Sequence, residues 1–174
     1  MSIAREAAAH VSEVEAGQTE TDDLKEAYLR LLNLIERLHR QLLDVIKDEL
    51  ERLGQTDINS VQALLLYNIG DSELTAGELR SRGHYLGSNV SYNLKKLVEA
   101  GYILHQRSDA DRRSVRVSLT PQGREVRNRV AALYERQMGS LVEVGGVDSA
   151  LIETTNKTLV RLERFWTDQI RFRL

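Results

Sequence analysis

Between residues 57 and 123 apolar runs start on polar capping residues and stop on glycines. Asn59, with Gln62 three residues on, opens a run through Leu64, Leu65, Leu66 and Ile69 that stops at Gly70. A capping side chain, a Gln in the first turn and a terminal glycine are the start and stop signals of a helix. Thr75 and Glu78 repeat the device, with Leu74 placed to staple onto Leu79, and the helix they open ends at Gly83 after about two turns. After the tight HYLG stretch, a third helix is predicted from about Ser88 to Ala100, stopped by Gly101, with Val90, Leu94, Leu97 and Val98 on its buried face. A two-turn helix, a short turn and a longer amphipathic helix read as a helix-turn-helix.

The period then changes. Tyr102 to Gln106 is β-prone, Ser114 to Leu119 (SVRVSL) alternates strictly, and the polar RSDADRR between them reads as the tip of a hairpin. Thr120 caps a new helix with Pro121 at its first position, where a missing N–H costs nothing. Val126, Val130, Leu133, Tyr134, Met138 and Leu141 mark its apolar side; Gly145 and Gly146 break it, and Asp148 starts a final helix rich in Leu, Ile, Phe and Trp. Upstream, Leu24, Tyr28, Leu31, Ile35, Leu38, Leu42, Val45 and Ile46 fall at helical steps from about Asp22 to Leu53. Leu29, Leu32, Leu34 and Leu43 widen that stripe past one face, which calls for burial in a subunit interface.

The expected fold is therefore mainly α with a small β-hairpin wing: a winged helix-turn-helix flanked by long N- and C-terminal dimerisation helices. Its parts are a mobile or loosely helical arm over 1–21, a dimerisation helix over 22–56, the winged module over 57–120 and C-terminal dimerisation helices over 121–174. The chain has no Cys, which excludes disulfides, thiol redox sensing and Cys-based zinc sites. The N-terminal segment has no apolar core of a signal peptide, and no apolar run approaches membrane-spanning length, so a cytoplasmic location without membrane association is expected.

The net charge of −2 hides an asymmetry. From Arg80 to Arg129 eleven basic residues face four acidic ones, a local +7, which leaves −9 for the remainder. A basic middle on an acidic body suits a module that binds a polyanion; a solvated basic face is the plainer alternative. The third helix offers Ser88, Asn89, Ser91, Tyr92, Asn93, Lys95 and Lys96 away from its apolar stripe, with no acid before Glu99. Asn can pair with adenine edges, Lys can reach guanine or phosphate, and Tyr can bond phosphate or meet a thymine methyl. The exposed N–H groups at the helix start suit a phosphate beside Ser88. The hairpin adds Arg107, Arg112, Arg113 and Arg116, with Asp111 able to orient an Arg by bidentate pairing, and a basic loop of this kind can lie in a minor groove.

The succession of helices, the DADRRSVRVSLTPQG hairpin and the helix that follows resemble the MarR family of winged-helix regulators. The pattern of Asp111 and Arg113 followed by VRVSLTPQG is the most distinctive stretch, and the resemblance covers about Asn59 to Gly123 by motif and the long flanking helices by architecture. It implies that Arg113 enters the minor groove braced by Asp111 and that Ser88 through Lys96 form the recognition helix. It also implies a homodimer held by N- and C-terminal helices, and a small aromatic or phenolic effector between that interface and the DNA-binding lobe. Tyr28, Leu32, His39, Tyr67, Tyr134 and Met138 are candidates to line such a pocket, ordinary core packing being the alternative for each. The run GHYLGSNVSYNLKK lacks the Pro and Arg often found where the family's recognition helix begins, and is similar to a branch associated with control of cell-wall L,D-transpeptidases. Peroxide-sensing branches depend on Cys, so their mechanism is closed to this chain.

The expected function is sequence-specific binding of double-stranded DNA at a pseudo-palindromic operator, as repressor or activator. Two other readings compete. A winged helix used for protein contact alone would not need the basic middle. An enzyme would need a constellation that is missing: His10, His39, His84 and His105 are scattered, and no metal-ligand, phosphate-loop or nucleophile motif accompanies them. No cofactor or metal is expected.

Overall fold

A computed structural model of the chain describes residues 2–75, 78, 87–107 and 115–172; for 2–20, 87–90, 107 and 115 it describes the backbone alone. These residues form α1 (Ser2–Arg52), α2 (Ser60–Ile69), β1 (Leu74–Thr75), α3 (Gly87–Glu99), β2 (Ile103–Arg107), β3 (Val115–Leu119), α4 (Pro121–Leu141) and α5 (Ser149–Phe172). Mostly helical with one small antiparallel sheet, this is the expected winged-helix architecture. The predicted two-turn helix and the hairpin tip lie outside the described residues. No helix among the described residues is long and apolar enough to cross a membrane. The chain divides into two compact units, 1–61 and 62–174.

In the first unit α1 is helical from Ser2, well before the Asp22 that the apolar periodicity marks. Ala4, Ala7, Ala8, Ala9 and the interspersed Glu residues are strong helix formers, so backbone propensity carries the helix where no apolar stripe does. Leu24, Leu29, Leu34 and Leu38 are exposed, whereas Ile46 and Leu50 are buried. Buried Glu49 accepts two hydrogen bonds from Arg52, 2.9 Å from Nε and 2.8 Å from Nη2. Those bonds, together with the carboxylate's charge, hold the Arg52 guanidinium above its ordinary pKa. The helix closes where Gln55 N–H donates to the Leu50 carbonyl at 2.8 Å, a C-terminal cap that satisfies an otherwise free acceptor.

In the second unit α2 buries Ala63, Leu65, Leu66 and Ile69. The sheet has the order β1-β3-β2, all antiparallel, with β3 in the centre. Alternation in SVRVSL becomes alternation of burial: Val117 and Leu119 are buried and Arg116 is exposed. The two-residue β1 was not anticipated from the sequence. Leu74 pairs with Val117 and is buried, so its apolar side chain serves the sheet; Thr75 pairs with Arg116. Thr75 still caps as predicted: Glu78 N–H donates to its Oγ1 at 3.1 Å, and its own N–H donates to Glu78 Oε2 at 2.7 Å.

α3 packs on β2 and α4 on β3, burying Leu94 and Leu97 on the one and Val126, Val130 and Leu133 on the other. Each full burial of such a side chain contributes about 1.5–3 kcal/mol, and together they fix how α3 sits on the sheet. The turn between them is tight. Gly101 has φ +80°, a left-handed value that costs glycine nothing, and Tyr102 N–H returns to the Leu97 carbonyl at 2.9 Å. Buried Tyr102 in turn accepts from Thr120 N–H at 3.1 Å, while Thr120 Oγ1 donates to the Gly101 carbonyl at 2.8 Å and accepts from Gly123 N–H at 3.1 Å. A side chain at Gly123 would place its Cβ 2.2 Å from the Tyr102 carbonyl oxygen, so this first turn of α4 can lie on that backbone only with glycine there.

α5 starts as the sequence indicates, with Leu151 N–H donating to the Asp148 carboxylate at 2.8 Å. It buries no residue, and Leu151, Ile152, Leu159, Val160, Phe165, Ile170 and Phe172 are all exposed.

Candidate nucleic-acid interface

α3 has the two faces that base reading requires. Buried Leu94 and Leu97 anchor one side; on the other Tyr92 is 62% exposed, with Lys95, Lys96 and Ser91 exposed and Asn93 half-buried. Ser88 and Asn89 lie in the first turn of the helix, where only their backbone is described. Five of the seven recognition-helix candidates are thus placed on one rigid element as expected, four of them exposed and Asn93 at the edge.

The face is not purely basic. Glu99 closes the helix with Oε2 3.1 Å from Lys96 Nζ and Oε1 3.9 Å from Lys95 Nζ. The hydrogen bond that Lys96 donates to Glu99, and then the charge of that carboxylate, hold the Lys96 ammonium above the usual lysine pKa, so it is charged across the neutral range. The spacing of three and four residues made that pairing readable in the sequence.

β2 and β3 bring Arg107 opposite Val115 and Gln106 opposite Arg116. The tip that joins them, with Asp111, Arg112 and Arg113, lies outside the described residues. Arg116, at the base of the wing, has its Nη1 3.4 Å from Glu73 Oε2. Arg127 on α4 reaches Asp71 in the same turn at 2.7 Å. No local spacing signals either pair, because each joins residues that only the folded sheet brings together.

A groove of about 470 Å³ runs between α3 and β2, lined by Ser91, Leu94, Lys95, Val98, Glu99 and His105. Among the described residues no group of His, Asp and Glu could hold a metal ion.

Of the six candidates for an effector pocket, Tyr28 and Leu32 are half-buried on α1 and His39 is exposed there. Tyr67 on α2 and Tyr134 on α4 meet edge to face, ring centroids 5.0 Å apart at 83°, and Met138 is 70% exposed one turn beyond Tyr134.

Residues 58–123 match the profile of a winged helix DNA-binding domain. The chain is 39% identical over 154 residues to the exopolysaccharide II synthesis transcriptional activator ExpG of Rhizobium meliloti (strain 1021), covering 87% of this chain and 77% of ExpG. The chain belongs to the MarR family of winged-helix transcriptional regulators. The solved structures of MarR-type proteins share the fold at lower identity. Streptococcus pneumoniae FabT, in complex with DNA, aligns with TM-score 0.64 at 22% identity over 81% of this chain and 98% of FabT. A MarR variant from E. coli, complexed with operator DNA, aligns with TM-score 0.62 at 20% identity over 76% of this chain and 92% of that one. As a MarR-family regulator the chain binds DNA and is not an enzyme.

Proposed function

We propose that this MarR-family regulator binds a pseudo-palindromic operator as a homodimer whose DNA affinity responds to a small aromatic or phenolic effector. The observation that carries the DNA reading is α3: a face of Tyr92, Lys95 and Lys96, backed by buried Leu94 and Leu97. In a two-fold dimer two such helices enter successive major grooves about ten base pairs apart. Ser88, Asn89, Ser91, Tyr92 and Asn93 contact bases or the phosphates beside them, and Lys95 and Lys96 contact the backbone. Arg107, Arg112, Arg113 and Arg116 follow the wing toward the flanking minor grooves, with Asp111 orienting Arg113.

The dimer reading rests on α5, a helix of 24 residues that buries none of them and exposes leucine, isoleucine, valine and phenylalanine. A soluble chain does not leave so much contiguous apolar surface in water, and a second copy supplies the cover. The effector reading rests on the Tyr67–Tyr134 pair, whose ring edge and face can stack a planar ligand. An effector acts only to the extent that it binds one dimer geometry more tightly than the other. The relative ExpG is described as an activator of exopolysaccharide II synthesis. For this chain the sign follows from where the operator sits: overlap with the promoter gives repression, an upstream site gives activation.

Fluorescence anisotropy with genomic fragments against random duplexes, combined with light scattering, tests the reading. The expected result is a dimer that binds selected fragments at least about a thousandfold more tightly than random DNA. A monomer that binds every duplex equally would refute it.

A further inference from the structure

Glu99 is the one acid in the sequence of α3, and it lies beside the two lysines of that helix. Its two oxygens take one ammonium each, Oε2 from Lys96 at 3.1 Å and Oε1 from Lys95 at 3.9 Å. All three side chains are about half exposed or more, 76% for Lys95 and 49% for Lys96 and Glu99. A carboxylate with two oxygens and one negative charge offers these ammonium groups what a DNA phosphodiester offers with its two non-bridging oxygens. We propose that the Glu99 carboxylate stands in for a backbone phosphate in the free protein, as an internal competitor that lowers sequence-independent DNA binding by Lys95 and Lys96.

The exchange is feasible because the pairs are exposed. Ion pairs in water are worth little, so a phosphate can displace Glu99 at small cost. It still matters, because non-specific affinity comes almost wholly from such contacts. Each lysine that must first release Glu99 contributes less on any duplex, while the base contacts of Tyr92 and its neighbours keep their full value. Glu99 is thus a positioning residue: it acts on DNA through the lysines and touches no base. The proposal rests on the assignment of α3 to the DNA interface, and the test separates the two.

The experiment measures affinity for a short random-sequence duplex at low and high salt, using the full-length protein and a double-mutant cycle. Glu99→Gln should tighten binding about three- to tenfold at low salt, with the gain shrinking as salt rises. In a Lys95→Gln, Lys96→Gln background the same substitution should change nothing, since no ammonium remains to be released. If Glu99→Gln leaves affinity unchanged, or if its gain persists without the lysines, the carboxylate acts as a general surface charge and the proposal is overturned. If the lysine pair itself has no effect on random-duplex affinity, the α3 interface falls, and this proposal with it. Thermal melts of each variant that match the parent's exclude a folding defect as the source of either result.

Discussion

Arg116, in the central strand of the sheet, has its guanidinium 3.4 Å from the carboxylate of Glu73, in the turn that leads into β1. With both side chains more than half exposed, the pair contributes at most about 1 kcal/mol to the fold. Arg116→Ala should therefore leave the melting temperature nearly unchanged. If the arginine gives up Glu73 for a phosphate, the same variant loses about one unit of the slope of log affinity against log salt. An unchanged slope would assign Arg116 to the sheet and take it out of the interface.

Two glycines of α4 should respond to alanine in opposite directions. At Gly123 the new Cβ meets the Tyr102 carbonyl oxygen at 2.2 Å, and that carbonyl is fixed by the Thr120 N–H. Relief must shift the helix or the strand, and a loss of about 1–3 kcal/mol is expected in urea unfolding. Gly139 has nothing within 4 Å of its Cβ position, so Gly139→Ala should gain up to about 1 kcal/mol of helix propensity. Equal effects at the two positions would mean that the Tyr102 contact carries no weight.

Phe165 is 52% exposed on α5, a helix that buries nothing within its own chain. Placing a charge there should weaken the proposed dimer by about a hundredfold or more while leaving helix content unchanged, since aromatic anchors dominate interfaces. Light scattering of Phe165→Glu at micromolar concentration should show a monomer, and operator affinity should drop with it. A stable dimer in this variant would move the interface off this face of α5.

The order of elements was legible because it is written in local chemistry. Thr120 with Pro121 before α4 and Asp148 before α5 each announce a helix start through side chains within three residues of one another. The alternation of SVRVSL announced β3 in the same way. What sequence could not give was non-local: Leu74 pairs with Val117 across more than forty positions, and Glu73 finds Arg116 only once that register is set. The start of α1, read as a mobile or loosely helical arm, was left open for a different reason. An alanine-rich segment can be helical by propensity with no apolar stripe to betray it. On the interface itself the exposed face of α3 was readable from its periodicity; the pairing of its lysines with Glu99 was not drawn from the sequence, although the three- and four-residue spacing carries that signal.

Tyr92 and Lys95 share the exposed face of α3 but should fail differently when shortened. Tyr92 lies near the middle of the helix and is 62% exposed, with a ring broad enough to meet a thymine methyl and a hydroxyl able to bond a base edge or phosphate. If it reads a base, Tyr92→Ala costs about 1–3 kcal/mol on the operator, and the loss concentrates at one base-pair position per half-site. Lys95 is a charge on a flexible stem near the helix end, suited to phosphate. Lys95→Ala should weaken all duplexes alike and reduce the salt slope by about 0.9. A panel of operator variants carrying each single base change, titrated with both mutants, distinguishes them. A uniform loss for Tyr92→Ala would make it a backbone contact and shift base reading to Asn89 and Asn93, the amides that lie before and beside it on the same helix.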